Sequence, residues 1–239
     1  MPPRFIDRYK YILFDICGTL MFDYDRYGPD QDYYPEYARA GGNTLSPAGL
    51  AEIINQMTSD IAAAEKVPEN WDPFPSTTDF LLHVKAAQHL EAKERSAIKT
   101  VFAQHECGTI QDWVVEALHH VHSTHPVGSI SNLWSNPAPF EAEIARCGLD
   151  GIFQPRIWSS DCGCIKPASR IFAAALAFVL FNPAEVLYVG DTFRCDVYGP
   201  KRLGMGVAWV NPSGKPIPAE YGVHPDRTIR SIKDLLHIE

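Results

Sequence analysis

Residues 11–20 have the sequence Tyr-Ile-Leu-Phe-Asp-Ile-Cys-Gly-Thr-Leu, and this stretch decides which fold to expect. The apolar residues Tyr11 to Phe14 predict a buried strand, because a short apolar run bounded by turn residues is typical of a strand inside a sheet. Gly18 and Thr19 supply the turn that follows. The strand therefore ends at Asp15 and holds its carboxylate at the strand tip.

Outward from this stretch, the second half of the chain alternates apolar runs with helical patterns. The expected strands cover 127–131, 152–158, 186–189 and 206–210, and the expected helices cover 138–147, 168–180 and 195–203. This alternation predicts right-handed βαβ units, and hence an α/β fold with a doubly wound, mostly parallel sheet. Such a sheet binds its ligand beyond the carboxyl ends of the strands, where Asp15 is expected.

Residues 21–114 have a different pattern. Tyrosines are frequent between positions 24 and 37, and apolar residues then recur at helical spacing in 47–64, 76–90 and 91–105, with prolines between the first two segments. We therefore expect a helical domain over 21–114, inserted into an α/β core formed by 1–20 and 115–239.

Composition limits the class of protein. Of the 239 residues, 46% are hydrophobic and 21% are charged, as in soluble globular proteins. The formal net charge of -8 argues against a nucleic-acid or membrane surface as partner, because both require a basic footprint. The first residues contain neither a secretory apolar region nor a membrane span, so we expect a cytoplasmic protein with its six cysteines as free thiols.

Four segments together resemble the motifs of the haloacid dehalogenase superfamily. Asp15 to Leu20 resembles its first motif, D-x-D-G-T-L in the phosphatases, and Ser131-Asn132 resembles the second. Lys166-Pro167 resembles the third, and Gly190 to Asp196 resembles the fourth, G-D-S/T-x-x-x-D. The segments occur in the order of the family and each follows an expected strand. The resemblance implies a Rossmann-like core in which the insert is a helical cap.

The resemblance also implies a role for each motif residue. Asp15 would be the nucleophile, since a carboxylate can split phosphoryl or alkyl transfer into two steps through a covalent intermediate. Transferred phosphoryl groups need neutralising charge and hydrogen-bond donors. The implied substrate-binding residues are Thr19, Ser131, Asn132 and Lys166, and the implied Mg²⁺ ligands are Asp15, the Cys17 carbonyl, Asp191 and Asp196.

Several of these residues also have a structural interpretation that the sequence leaves open. Asp15 could simply cap the turn before Gly18. Asp191 is a suitable N-cap for a helix near Cys195, and Asp196 could brace that loop. A lysine before proline in a loop is by default a solvated surface residue. Ser-Asn after a strand is ordinary turn chemistry.

Cys17 departs from the phosphatase pattern, where a second aspartate protonates the leaving group and then activates water. A thiol has a reference pKa of about 8.5 and does both poorly. Three hypotheses follow: a phosphatase for small phosphorylated substrates with good leaving groups, a metal-free 2-haloacid dehalogenase, or a binding protein without turnover. Dehalogenases carry D-x-Y-G-T-L, and Trp209 to Gly214 resembles their W-x-N-R-x-G with Pro212 in place of arginine.

The intact acidic fourth motif favours phosphatase chemistry over the other two hypotheses. We therefore expect Asp15, Cys17 and Lys166 to be the catalytic residues of a Mg²⁺-dependent enzyme. The expected partner is a small phosphorylated or halogenated molecule. A homo-oligomer is compatible with the sequence.

Overall fold

A computed structural model describes residues 3–238. Its centre is one sheet of six parallel strands in the order β3-β2-β1-β4-β5-β6. The strands are β1 (Tyr11–Phe14), β2 (Val127–Ser131), β3 (Phe153–Trp158), β4 (Val186–Gly190), β5 (Gly206–Val210) and β6 (Arg227–Ile229). The predicted doubly wound α/β fold is confirmed.

The first strand lies at the topological switch point of the sheet. Phe14 is in register with Ser129 of β2 on one side and with Val189 of β4 on the other. The chain winds outward from β1 in both directions, so a crevice opens at the carboxyl ends of these three strands. Asp15 follows Phe14 directly, and its amide donates to the Val189 carbonyl at 2.8 Å.

The helices flank the sheet or belong to the insert. They are α1 (Tyr34–Arg39), α2 (Pro47–Ala64), α3 (Thr77–His83), α4 (Ala92–Glu106), α5 (Asp112–His122), α6 (Ala138–Arg146), α7 (Ser159–Cys162), α8 (Ser169–Val179) and α9 (Gly199–Lys201). The predicted helix 47–64 is confirmed in full as α2, and those over 91–105, 138–147 and 168–180 are confirmed within two residues.

Two helix predictions were wrong in their extent. The helix predicted over 76–90 ends at His83, because Val84 adopts an extended conformation before a single 3₁₀ turn at Lys85–Ala87. The segment predicted as a helix over 195–203 is instead a π-helix over Phe193–Tyr198 followed by the short α9. The strand β6 was not predicted, since three residues carry too little apolar pattern.

Apolar clusters explain how these elements pack. One buried cluster contains Phe14 and Val189 and covers one face of the sheet, and a second contains Leu13 and Tyr188 and covers the other. The buried residues of a third cluster all lie between Tyr33 and Phe102, within the insert.

The proposed insert boundaries stay a prediction. Position 114 falls inside α5, whose buried residues pack in the cluster of the sheet. All six cysteines are free. Within residues 3–238, no helix is both long enough and apolar enough to cross a membrane.

Candidate active site

Lys166 is the centre of a buried ion-pair network at the carboxyl end of the sheet. Its Nζ atom lies 2.6 Å from Asp15 Oδ1 and 2.7 Å from Asp196 Oδ1, and it donates to the Tyr188 hydroxyl at 3.0 Å. Burial alone would lower the pKa of Lys166, but the Asp15 and Asp196 carboxylates hold that pKa well above its usual value. Lys166 is only 2% exposed, so the interpretation as a solvated surface residue is wrong.

Asp196 is held at both of its carboxylate oxygens. Oδ1 accepts from Lys166 Nζ, and Oδ2 accepts from the Thr192 amide at 2.9 Å. These contacts brace the loop between β4 and the π-helix. The helix begins at Phe193 with Thr192 as its N-cap, so the N-cap interpretation of Asp191 is also wrong.

Asp191 faces the turn that follows Asp15. A Cβ atom on Gly18 would lie 2.7–2.9 Å from the Asp191 carboxylate, and Gly18 has a φ of +80°, so only glycine suits this position. Thr19 Oγ1 lies 3.4 Å from both Asp15 Oδ2 and Asp191 Oδ1. Burial, followed by the Asp196 charge, raises the pKa of Asp191 to about 6.

The two residues predicted at the end of β2 have different environments. The Ser131 hydroxyl is buried and, within residues 3–238, has no hydrogen-bond partner, as is also true of Ser129 earlier in the strand. Asn132 accepts from the Lys166 amide at 2.8 Å and donates to the Lys166 carbonyl at 3.3 Å. Asn132 therefore positions Lys166, while the Ser131 hydroxyl is left without a hydrogen-bond partner in the described residues.

The Cys17 thiol lies in a negatively charged environment. Burial raises its pKa well above the usual value, and the carboxylates of Asp15, Glu106 and Asp25 raise it further. The thiol therefore stays protonated at neutral pH. Its environment strengthens the argument from sequence that Cys17 cannot serve as the base.

The residues present fit a divalent cation. Carboxylate oxygens of Asp15, Asp191 and Asp196 lie within 4.8 Å of one another. Burial raises the pKa of Asp15 as well as that of Asp191, and a bound cation would favour their ionised forms. With all three carboxylates ionised, they and the Lys166 ammonium would sum to -3 + 1, or -2, a charge that a divalent cation would neutralise. Because both oxygens of Asp196 are already engaged, the carboxylates of Asp15 and Asp191 are the better candidate ligands. In the described part of the chain no hydrogen bond reaches the Cys17 carbonyl, a third candidate.

Sequence reasoning missed three residues that build this site. Tyr188 donates to the Ile130 carbonyl at 2.9 Å and accepts from Lys166, and a tyrosine in an otherwise apolar strand was the available signal. Trp209 donates its indole N–H to the Asp191 carbonyl at 2.9 Å. Glu106 accepts from the amides of Trp134 at 2.6 Å and Ser135 at 3.0 Å, and so holds the loop after β2.

A cavity of about 620 Å³ adjoins that loop. It is lined by residues of α3, α4 and the segment around Ser159, together with Trp134 and Ser135. Neither Asp15 nor Lys166 lines it, so this cavity is separate from the ion-pair network.

The fold and the four-motif site define a class of hydrolases with an aspartate at the tip of the first strand. A family model for haloacid dehalogenase-like hydrolases matches residues 9–204. The chain therefore belongs to the haloacid dehalogenase-like hydrolases.

Curated relatives match part of the chain. A glyceraldehyde 3-phosphate phosphatase of Pyrococcus furiosus is 33% identical over 105 residues, which is 43% of this chain and 43% of that protein. Haloacid dehalogenase-like hydrolase domain-containing protein 3 of Mus musculus is 37% identical over 62 residues, or 26% of this chain and 25% of that protein. The matched segments thus span less than half the length of these relatives.

Solved structures are similar over nearly the whole chain. A 2-haloacid dehalogenase from Pseudomonas syringae pv. Tomato superposes with a TM-score of 0.65 at 22% identity, covering 95% of this chain and 96% of that one. A phosphatase of the same superfamily from Thermococcus onnurineus has a TM-score of 0.62 at 22% identity and covers 95% of both chains. At this identity the likeness supports the fold and does not distinguish the two chemistries.

Proposed function

We propose that the protein is a Mg²⁺-dependent phosphohydrolase that acts on a small phosphorylated metabolite in the cytoplasm. The observation that carries the proposal is the buried Asp15–Lys166 pair beside Asp191, in a site with surplus negative charge. A dehalogenase needs no metal, so the Asp191 carboxylate beside the nucleophile would have no metal to bind in it. The phosphatase name of the Pyrococcus relative supports the same chemistry.

Each residue has a role in this reaction. Asp15 Oδ2 attacks phosphorus and forms an aspartyl phosphate, because Oδ1 is engaged by Lys166. Lys166 and the hydroxyls of Thr19 and Ser131 neutralise and orient the phosphoryl oxygens. Asn132 keeps Lys166 in place through its backbone. Mg²⁺, held by Asp15, Asp191 and the Cys17 carbonyl, would supply additional charge neutralisation.

Two other functions compete with this proposal. A 2-haloacid dehalogenase would use Asp15 on carbon and release halide, and a binding protein would keep the pocket without turnover. Their distinguishing property is the product: phosphate, halide or neither.

The deciding experiment offers purified protein a panel of phosphate esters, acyl phosphates and 2-haloacids with and without Mg²⁺. We expect phosphate release that stops with chelator and returns with Mg²⁺. Asp191→Ala should raise the Mg²⁺ concentration needed for recovery, whereas Asp30→Ala, which removes an exposed carboxylate, should not. Halide release that is insensitive to chelator would overturn the proposal in favour of the dehalogenase.

A further inference from the structure

The segment after the first motif runs alongside the end of α4. Phe22 and Thr109 exchange backbone hydrogen bonds at 2.9 and 2.7 Å, and the Asp25 amide donates to the Glu106 carbonyl at 3.2 Å. Asp23 and Asp25 have left-handed φ angles of 55° and 51°, which non-glycine residues rarely adopt. The backbone thus fixes the position of Asp25 against Glu106.

The Asp25 carboxylate is solvent-exposed, and no hydrogen bond or ion pair of its side chain occurs within residues 3–238. The segment that carries Asp25 leaves the first motif through the backbone bridge between Cys17 and Met21, and the Asp25 charge raises the pKa of the Cys17 thiol and that of the Tyr24 phenol. Asp25 therefore lies on the side of the site where the Cys17 side chain stands. It is an unpaired carboxylate next to the position where the phosphatases have their second aspartate.

We propose that Asp25 supplies the proton transfers that the phosphatases of this family assign to the residue at position 17. The proposal rests on the phosphohydrolase function above. As the Asp15 carboxylate bonds to phosphorus, the P–O bond to the leaving group breaks with its electron pair on oxygen, and that oxygen takes the proton of Asp25. Water then attacks phosphorus and gives a proton to the Asp25 carboxylate, and the P–O bond to Asp15 breaks to release phosphate.

The pKa of Asp25 suits a residue that must both donate and accept a proton. Partial desolvation by the surrounding residues raises its pKa to about 7, and the Glu65 carboxylate contributes. The Glu65 carboxylate accepts from the Trp134 indole N–H at 2.9 Å, and the Glu65 backbone carbonyl accepts from Arg194 at 2.9 Å. The ionisable groups around Asp25 are Cys17, Tyr24, Arg26, Tyr27, Glu65 and Glu106.

Its neighbours are less suited to the role. Both oxygens of Glu106 accept from the Trp134–Ser135 loop. The pKa of the Cys17 thiol is raised well above its usual value by burial, and burial likewise raises the pKa of Tyr24. Neither of these two groups can readily take a proton from water and return it.

The test compares Asp25→Asn with Asp23→Asn in the full-length protein with Mg²⁺. Both aspartates are exposed and left-handed, and asparagine tolerates that conformation, so Asp23→Asn is a matched control. The substrates are an aryl phosphate, whose leaving group needs no proton, and an alkyl phosphate, whose leaving group does. We expect Asp25→Asn to lower kcat/KM, which reports the steps up to departure of the leaving group, about 10²-fold or more for the alkyl ester and less than about 3-fold for the aryl ester. Asp23→Asn should change neither.

The pH profile provides a second measurement. For the alkyl ester, kcat/KM should fall above about pH 7 in the wild type as Asp25 loses its proton, and this descent should disappear in Asp25→Asn. If Asp25→Asn and Asp23→Asn have the same rates, or if the wild type does not hydrolyse alkyl esters, the role of Asp25 is wrong but the phosphohydrolase proposal is unaffected. Absence of phosphate release from every ester overturns the phosphohydrolase proposal as well.

Discussion

Two walls of the cleft use the same residue types in opposite ways. The core wall, formed by Asp15, Lys166 and Asp196, pairs its inner carboxylates with a buried ammonium at 2.6 and 2.7 Å. The insert wall, formed by Asp25 and Glu106, contains no salt bridge to either carboxylate within residues 3–238. Burial also raises the pKa of Asp15, but the Lys166 ammonium opposes that rise. On the insert wall, where no cation is paired, desolvation raises the pKa of Asp25 to about 7 and that of Glu106 to about 8.

This difference indicates that the two walls have different roles in the reaction. The core wall fixes charge where the phosphoryl group must be bound and attacked, and its ions are held by several contacts each. The insert wall keeps carboxyl groups that can hold a proton near neutral pH, as proton transfer requires. The predictions below test each wall in turn.

The largest effect should come from Asp15→Asn on the core wall. An amide cannot form the aspartyl intermediate, so we expect turnover to fall by about 10⁴-fold or more. The fold should persist, because Lys166 keeps its pair with Asp196. Phosphate release and circular dichroism measure the two properties, and full activity in this variant would remove the central claim.

Lys166→Met should have the next largest effect, on stability. It leaves Asp15 and Asp196 buried without a cation, and breaking a buried pair costs about 3–5 kcal/mol. Lys10→Met is the control, because Lys10 pairs with Glu185 at 2.6 Å with its side chain 61% exposed, and we expect about 1 kcal/mol or less. Urea denaturation measures both, and equal losses would show that the core wall is not held by charge.

The Cys17→Asp variant tests whether the core wall lacks an acid that the insert wall supplies. From the sequence alone, this variant should accelerate alkyl esters because the wild type lacks an acid. If Asp25 is the acid of the wild type, Cys17→Asp should have little effect there. In the Asp25→Asn background it should raise the rate for the alkyl ester about 10²-fold. Cys17→Ser, which adds no carboxyl group, should not raise that rate. A large gain in the wild-type background would show that the wild type lacks an acid at position 17. Asp25 would then have no catalytic role.

The core wall was predictable from sequence and the insert wall was not, for a physical reason. Asp15, Ser131 and Asp191 follow apolar strands, and parallel strands bring their carboxyl ends together. Asp25 and Glu106 are 81 residues apart and meet only through backbone pairing of an irregular segment. Likewise, no local pattern shows that helical spacing stops at Val84 or that the three residues of β6 join the sheet.

The smallest expected effect concerns Glu106 and the pH dependence of stability. Its pKa is raised to about 8 by burial, whereas an unfolded glutamate titrates near 4.3. Between these values the unfolded chain is ionised at this position while the folded protein is protonated, so the free energy of unfolding falls as pH rises. Hydrogen bonds from Trp134 and Ser135 favour the ionised form and reduce the fall.

Glu106→Gln removes this titration but keeps one acceptor oxygen for the loop after β2. Between pH 5.5 and 6.5, we expect the free energy of unfolding to fall by about 1 kcal/mol less in the variant than in the wild type. Glu52→Gln, at an exposed position of α2, should follow the wild type. All three proteins are compared in the Asp25→Asn background, because the Asp25 charge contributes to the raised pKa of Glu106 and would otherwise titrate in the same range. Parallel pH curves for the variant and the wild type would mean that Glu106 is already ionised in the folded protein. The insert wall would then contain a stabilised buried charge, as the core wall does.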